Sequence, residues 1–267
     1  MKHLLTIGLL FASFLVAHIA AMADEPKPND AVQPAPRDDR PGWTARHERM
    51  NARVEQGNAK LLFIGDSITQ RWERAGKDAW KEFYADRDAV NLGIDGDRTQ
   101  HVLWRLENGN LEGIEPKLAV VMIGTNNSGA NTPREIADGV AAIVAKLRAK
   151  LPETTVLVLS IFPRGADDRD TRRPVIAKTN SLLAKLADGK KVLYEDIGEV
   201  FLEPDGTISR EIMPDLLHLS PAGYQRWAEA IEPTVARVLG DTPKTAKKTK
   251  TSTKTRAKGV PAAAEPG

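Results

Sequence analysis

The chain has 267 residues, of which 41% are apolar and 28% charged, and it contains no cysteine. That length is enough for one globular domain with a real core plus flanking pieces, and the missing cysteines exclude disulfides, iron–sulfur clusters, thiolate zinc sites, a cysteine nucleophile and a lipidated N-terminal cysteine. Net charge is only +2, yet Lys244, Lys247, Lys248, Lys250, Lys254, Arg256 and Lys258 crowd one end, leaving a mildly acidic body unlike that of a nucleic-acid binder.

The N-terminus opens with Lys2, continues through an apolar stretch over residues 4–19, and reaches Ala21-Met22-Ala23 before Asp24. Residues 1–23 therefore read as a secretory signal peptide, with export to the periplasm or outside the cell. The rival is a membrane anchor, for which the run is short and broken by His18. Residues 24–42 are rich in Pro, Asp and Ala without an apolar period and read as a disordered linker.

Between residues 43 and 240, apolar runs at 61–64, 89–92, 118–123, 156–161 and 192–194 alternate with helix-period segments. The runs are nearly continuous rather than alternating, as in strands covered on both faces of a parallel sheet. Thr132-Pro133-Arg134-Glu135 is a capping box with proline in the first turn, and it launches the stripe Ile136, Val140, Ile143, Val144 and Leu147. Another helix holds Val175, Leu182, Leu183 and Leu186 and closes at Gly189. Glu203-Pro204-Asp205-Gly206 is a turn. The last helix starts at Ser220-Pro221 and runs through Tyr224, Trp227, Ile231, Val235 and Val238, with a bend expected at Pro233. This order predicts a three-layer α/β/α sandwich around a five-stranded parallel sheet with right-handed crossovers. Residues 241–267 read as a disordered Lys/Thr-rich tail, either simply solvated or touching an anionic surface.

The first strand leads into Gly65-Asp66-Ser67, where a turn exposes a hydroxyl and a following helix N-terminus favours negative charge. Alone, the triplet is equally a turn and N-cap. The second strand ends at Gly93 and the third runs into Gly124-Thr125-Asn126. With strand order 2-1-3-4-5, Ser67, Gly93 and Asn126 leave neighbouring strands at one edge, the placement an oxyanion hole needs. An αL turn at Gly93 and a loop cap at Asn126 are the plain alternatives. Asp215-Leu216-Leu217-His218 sets an acid and a histidine three apart, able to fix an imidazole tautomer facing Ser67, although His218 could equally be structural. His47-Glu48 does not complete a zinc helix, since Asn51 stands where a second His belongs, and no Walker loop or dinucleotide fingerprint is present.

Taken together and in order, Gly65-Asp66-Ser67, Gly93, Gly124-Thr125-Asn126 and Asp215-x-x-His218 resemble the four blocks of the SGNH (GDSL-type) hydrolases. The similarity is greatest to the platelet-activating-factor acetylhydrolase-like branch, over about residues 59–239. The resemblance implies a flavodoxin-like fold and ester hydrolysis without metal or other cofactor. It makes Ser67 the nucleophile, His218 the general base, Asp215 its orienting partner, and Ser67, Gly93 and Asn126 the oxyanion donors. Asp95 departs from the branch, standing where a small residue, commonly Gly, is expected.

Short connections between the blocks suggest an open site for short acyl groups, acetyl first. The expected activity is a secreted serine esterase acting on small-molecule or polysaccharide esters, with carbohydrate esters favoured because no amphipathic membrane-docking stretch is evident. A lipid-directed acetylhydrolase or lysophospholipase of the same fold is the alternative. In a different class stands a non-catalytic envelope-binding protein attached through its basic tail. The resembled branch often forms dimers, so a homodimer stays open.

Overall fold

The computed structural model describes residues 28 to 245. The signal-peptide reading and the tail beyond residue 245 lie outside these residues. Five parallel strands, β1 (Leu61–Gly65), β2 (Ala89–Gly93), β3 (Leu118–Met122), β4 (Thr155–Leu159) and β5 (Val192–Glu195), form one sheet in the order β2-β1-β3-β4-β5. Every residue of β1 and β3 is buried, which is why these strands read as unbroken apolar runs.

Among the described residues, seven α-helices flank the sheet: α1 (Trp43–Val54), α2 (Ser67–Gln70), α3 (Lys77–Phe83), α4 (Thr99–Glu107), α5 (Pro133–Lys150), α6 (Arg172–Leu183) and α7 (Pro221–Leu239). The strand pleat sorts the core into two halves. Leu62 and Ile64 pack with Trp43, Val102, Leu106, Ile136, Val140 and Ile143 of α1, α4 and α5. Leu61 and Phe63 face the other way into Trp72, Phe83, Tyr84, Tyr224 and Trp227 around α3 and α7. The predicted capping box is present: Glu135 N–H donates to Thr132 Oγ1 at 3.3 Å and Thr132 N–H to Glu135 Oε2 at 2.7 Å. Pro233 sits inside α7, which runs through it without interruption. Among the described residues no helix is long and apolar enough to cross a membrane.

Two expectations are corrected. From residue 28, the segment read as a disordered linker is a strap laid over α4 and α5. Asn29 caps a short 3-10 turn at Asp30–Val32, and Ala31 is fully buried. Thr99 Oγ1 donates to the Ala31 carbonyl at 2.8 Å, Asn131 Nδ2 to Asp30 Oδ1 at 2.6 Å, and Ala35 N–H to the Gln100 carbonyl at 3.2 Å. Hydrogen bonds to distant partners and one buried methyl hold it, neither of which produces an apolar period. Likewise the tail is docked as far as residue 245. Asp241 accepts from Arg87 Nε at 2.9 Å, and Lys244 N–H donates to Glu232 at 2.7 Å.

Candidate active site

Strand register sets the site. Gly65 lies level with Gly93 on one side and Met122 on the other, so the loops after β1, β2 and β3 leave the carboxyl edge side by side. The chain order reverses here, with β2 and β3 on opposite sides of β1, making this the sheet's switch point, where α/β folds gather their functional groups. Glycine at 65 and 93 is demanded by close approach. A Cβ at Gly65 would lie 2.4 Å from the Met122 carbonyl oxygen, and one at Gly93 would lie 2.3 Å from Gln70 N. Gly93 is not left-handed, so the αL-turn alternative falls away.

Ser67 is the first residue of α2, capped by Asp66, whose Oδ1 accepts the Ile68 N–H at 2.9 Å. At that position the Ser67 N–H has no intrahelical acceptor. The loop before α7 brings in the other two residues. His218 Nε2 lies 2.9 Å from Ser67 Oγ, and His218 Nδ1 lies 2.7 Å from Asp215 Oδ2. Asp215 Oδ1 also accepts the N–H groups of His218 at 2.7 Å and Leu217 at 3.1 Å. Leu216 makes this loop tight by adopting φ +62°, uncommon for a residue with a side chain.

Partial burial pushes the Asp215 carboxyl up, but the two amides and the imidazole outweigh it and hold it at about 2. An ionised carboxylate only accepts, so Nδ1 carries the ring proton and Nε2 offers its lone pair to the Ser67 hydroxyl. The arrangement can deprotonate Ser67 as it attacks a carbonyl.

The three candidate oxyanion donors converge on one edge but are not equally free. Asn126 Nδ2 donates to the Asp97 carbonyl at 2.8 Å, which leaves its second N–H. The Gly93 N–H donates to Asn91 Oδ1 at 2.9 Å, so Gly93 can serve an oxyanion only by sharing or exchanging that acceptor. Asn91, whose Nδ2 also reaches the Thr69 carbonyl at 3.0 Å, was not anticipated from sequence; a polar residue in an otherwise apolar strand was the available signal.

Beneath the loops lies a fully buried ion pair, also missed. Arg105 Nε donates to Asp97 Oδ2 at 2.9 Å, and Trp43 Nε1 to Asp97 Oδ1 at 2.7 Å. The unexpected Asp95 is paired with Arg40 of the strap. Small clefts flank the site, one of about 290 Å³ beside Asp215, Leu216 and Leu217, and one of about 350 Å³ beside Asn126. Two larger cavities, about 570 and 610 Å³, touch none of Ser67, Gly93, Asn126, Asp215 or His218.

Residues 63–226 match the GDSL-like Lipase/Acylhydrolase family. The chain is 38% identical over 214 residues to the platelet-activating factor acetylhydrolase IB subunit alpha1 of Homo sapiens, covering 79% of this chain and 91% of that protein. It is also 38% identical over 219 residues to the alpha2 subunit of Gallus gallus, covering 80% and 94%. Among solved structures, a GDSL-like lipase of Bacteroides thetaiotaomicron is similar at TM-score 0.56 and 21% identity, over 72% of this chain and 97% of that one. An acetylxylan esterase of Geobacillus stearothermophilus is similar at TM-score 0.54 and 18% identity, over 72% and 98%. These two share the fold.

Proposed function

This chain belongs to the GDSL-like lipase/acylhydrolase family, is closely related to its platelet-activating-factor acetylhydrolase branch, and is a carboxylic ester hydrolase; from that premise we propose that it removes acetyl groups from lipid-type alcohols through Ser67, His218 and Asp215. The continuous contact from Asp215 through His218 to Ser67, at 2.7 and 2.9 Å, carries the reading. Ser67 Oγ attacks the carbonyl carbon while its proton passes to His218 Nε2. The oxyanion rests on the Ser67 amide, on Asn126 and on Gly93 once Asn91 gives way. The C–O bond then breaks, the departing alcohol takes the proton from His218, and water repeats the sequence to release acetate. This use of all four blocks speaks against the non-catalytic envelope-binding reading, since a pure binder has no need of an aligned nucleophile and base.

The carbohydrate preference expected from sequence gives way to the lipid-type alternative, because the 38% identical relatives are acetylhydrolases named for platelet-activating factor. The carbohydrate reading draws on an acetylxylan esterase that is only 18% identical. The deciding experiment compares acetate release from a 1-alkyl-2-acetyl-glycerophospholipid and from an acetylated xylo-oligosaccharide, with Ser67→Ala as the blank. Faster turnover of the glycan would reverse the lipid assignment, and equal release by the Ser67→Ala variant would remove Ser67 as nucleophile. Residues 1–23 make this an exported enzyme in our reading, which N-terminal sequencing of the cell-derived protein checks by finding Asp24 first.

A further inference from the structure

The strap and the loop after β2 build something the hydrolytic reading does not use. The cleft of about 350 Å³ next to Asn126 is lined by Arg37, Asp39, Gly96, Arg98 and His101 as well as Asn126 itself. Arg98 has no carboxylate within ion-pair distance among the described residues. Arg37 meets only the exposed Asp39, at 4.0 Å, and donates to the Asp95 carbonyl at 3.4 Å. Arg40, the next cation along the strap, is neutralised by Asp95. The cleft therefore holds two guanidinium groups against one lining carboxylate, the exposed Asp39, while the buried Asp97, which feels Arg37 and lies 3.8 Å from His101 Nδ1, is already paired with Arg105. Both cations stand beside the residue expected to hold the oxyanion.

His101 adds a third donor. Its Nδ1 accepts the Arg98 N–H at 3.0 Å, which puts the ring proton on Nε2 when the ring is neutral. Burial, and then the charges of Arg37, Arg98 and Arg105, push the imidazole down to about 4, so the ring is neutral near pH 7. Nε2–H makes no hydrogen bond to another described residue and is left to donate.

We propose that Arg37, Arg98 and His101 form a subsite for an oxyanion, a phosphate or carboxylate, carried by the alcohol half of the ester. Two cationic forks and a neutral N–H donor suit a group with several acceptor oxygens. Asp95 serves this subsite indirectly. By engaging Arg40 it fastens the strap, and the strap delivers Arg37. The proposal rests on the acetyl-ester reading and narrows its substrate class to acetylated alcohols bearing a nearby anion.

The test uses three acetates of comparable alcohols: neutral 2-acetoxyethanol, 2-acetoxyethyl phosphate and 3-acetoxypropanoate. The expected result is a kcat/KM at least about tenfold higher for a charged ester than for the neutral one, the size of one charge-assisted hydrogen bond. That ratio should collapse towards one in Arg98→Gln and in Arg37→Gln, and persist in Arg134→Gln, an exposed arginine that pairs with Asp138 and does not line the cleft. Whether the phosphate or the carboxylate gains more identifies the anion. Equal turnover of all three by the wild type, or an unchanged ratio in both cleft variants, would overturn the subsite while leaving the esterase intact. If none of the three esters is hydrolysed, it is the esterase reading that fails. Calorimetry with glycerol 3-phosphate then decides the subsite: binding lost in Arg98→Gln upholds it, and no binding by the wild type refutes it.

Discussion

Asp66 offers a sharp physical test. Its carboxyl is fully buried, with Oδ1 accepting the Ile68 N–H and Oδ2 without a partner among the described residues. Burial pushes it up to about 7, against the milder downward pull of that one amide. An unfolded Asp releases its proton near 4. Between those limits the folded state binds more protons, so stability falls as pH rises across the window and levels off above it. From pH 5 to pH 8 this carboxyl alone should remove roughly 2.5 kcal/mol.

Asp66→Asn keeps the capping oxygen and removes the titration. Urea unfolding, followed through the tryptophans, should give the variant a gain relative to wild type of about 2–3 kcal/mol on going from pH 5 to pH 8. That corresponds to about 1 M in relative midpoint. A relative change below about 0.5 kcal/mol would mean that the carboxyl titrates normally and that the burial argument is wrong.

Other consequences are more local. Asn126→Ala should lower kcat for p-nitrophenyl acetate by on the order of 10² to 10³; a loss below threefold would take Asn126 out of the oxyanion hole. Gly93→Ala forces a Cβ to within 2.3 Å of Gln70 N and 2.8 Å of the Asp66 carbonyl oxygen, so activity should collapse, and a crystal structure should show α2 displaced from β2. Arg87 donates to both oxygens of buried Glu232 at 2.6 and 2.7 Å. Arg87→Met strands that carboxylate and should cost about 3–5 kcal/mol, read as a fall of roughly 10 °C in calorimetric Tm; adding Glu232→Leu should recover most of it.

Much of the fold was legible because parallel strands buried on both faces leave continuous apolar runs, and because Thr132 to Glu135 carries its capping signal in four adjacent residues. The candidate triad was legible for a related reason: Ser67 stands two residues beyond a strand end, and Asp215 and His218 fit one tight loop. What stayed hidden depends on partners far apart in the chain. Ala31 is buried by its contact with the turn at Thr99, 68 positions on, and Asp97, though only eight positions from Arg105, meets it because α4 folds the guanidinium back over the loop. Neither contact alters local periodicity. The Asn91 acceptor on the Gly93 N–H was hidden because a strand pattern registers sides and not hydrogen bonds. Asp95 stood out as a departure, but its purpose needed Arg40, in a segment whose composition suggested no structure.

The last helix does more than close the fold. Tyr224 Oη donates to the Ile68 carbonyl at 2.5 Å, and the Tyr224 and Trp227 rings lie 4.6 and 4.9 Å from Trp72, clamping α7 onto the turn that presents Ser67. The candidate base, His218, lies 151 positions beyond Ser67, in the loop that leads into the same helix. A nascent chain that ends before residue 218 would already hold Ser67, all five strands of the sheet and both arginines of the cleft, yet lack the candidate base and the α7 clamp. On the proposed triad, competence waits for the segment that leads into α7, and a product truncated ahead of residue 218 should release no acetate from p-nitrophenyl acetate.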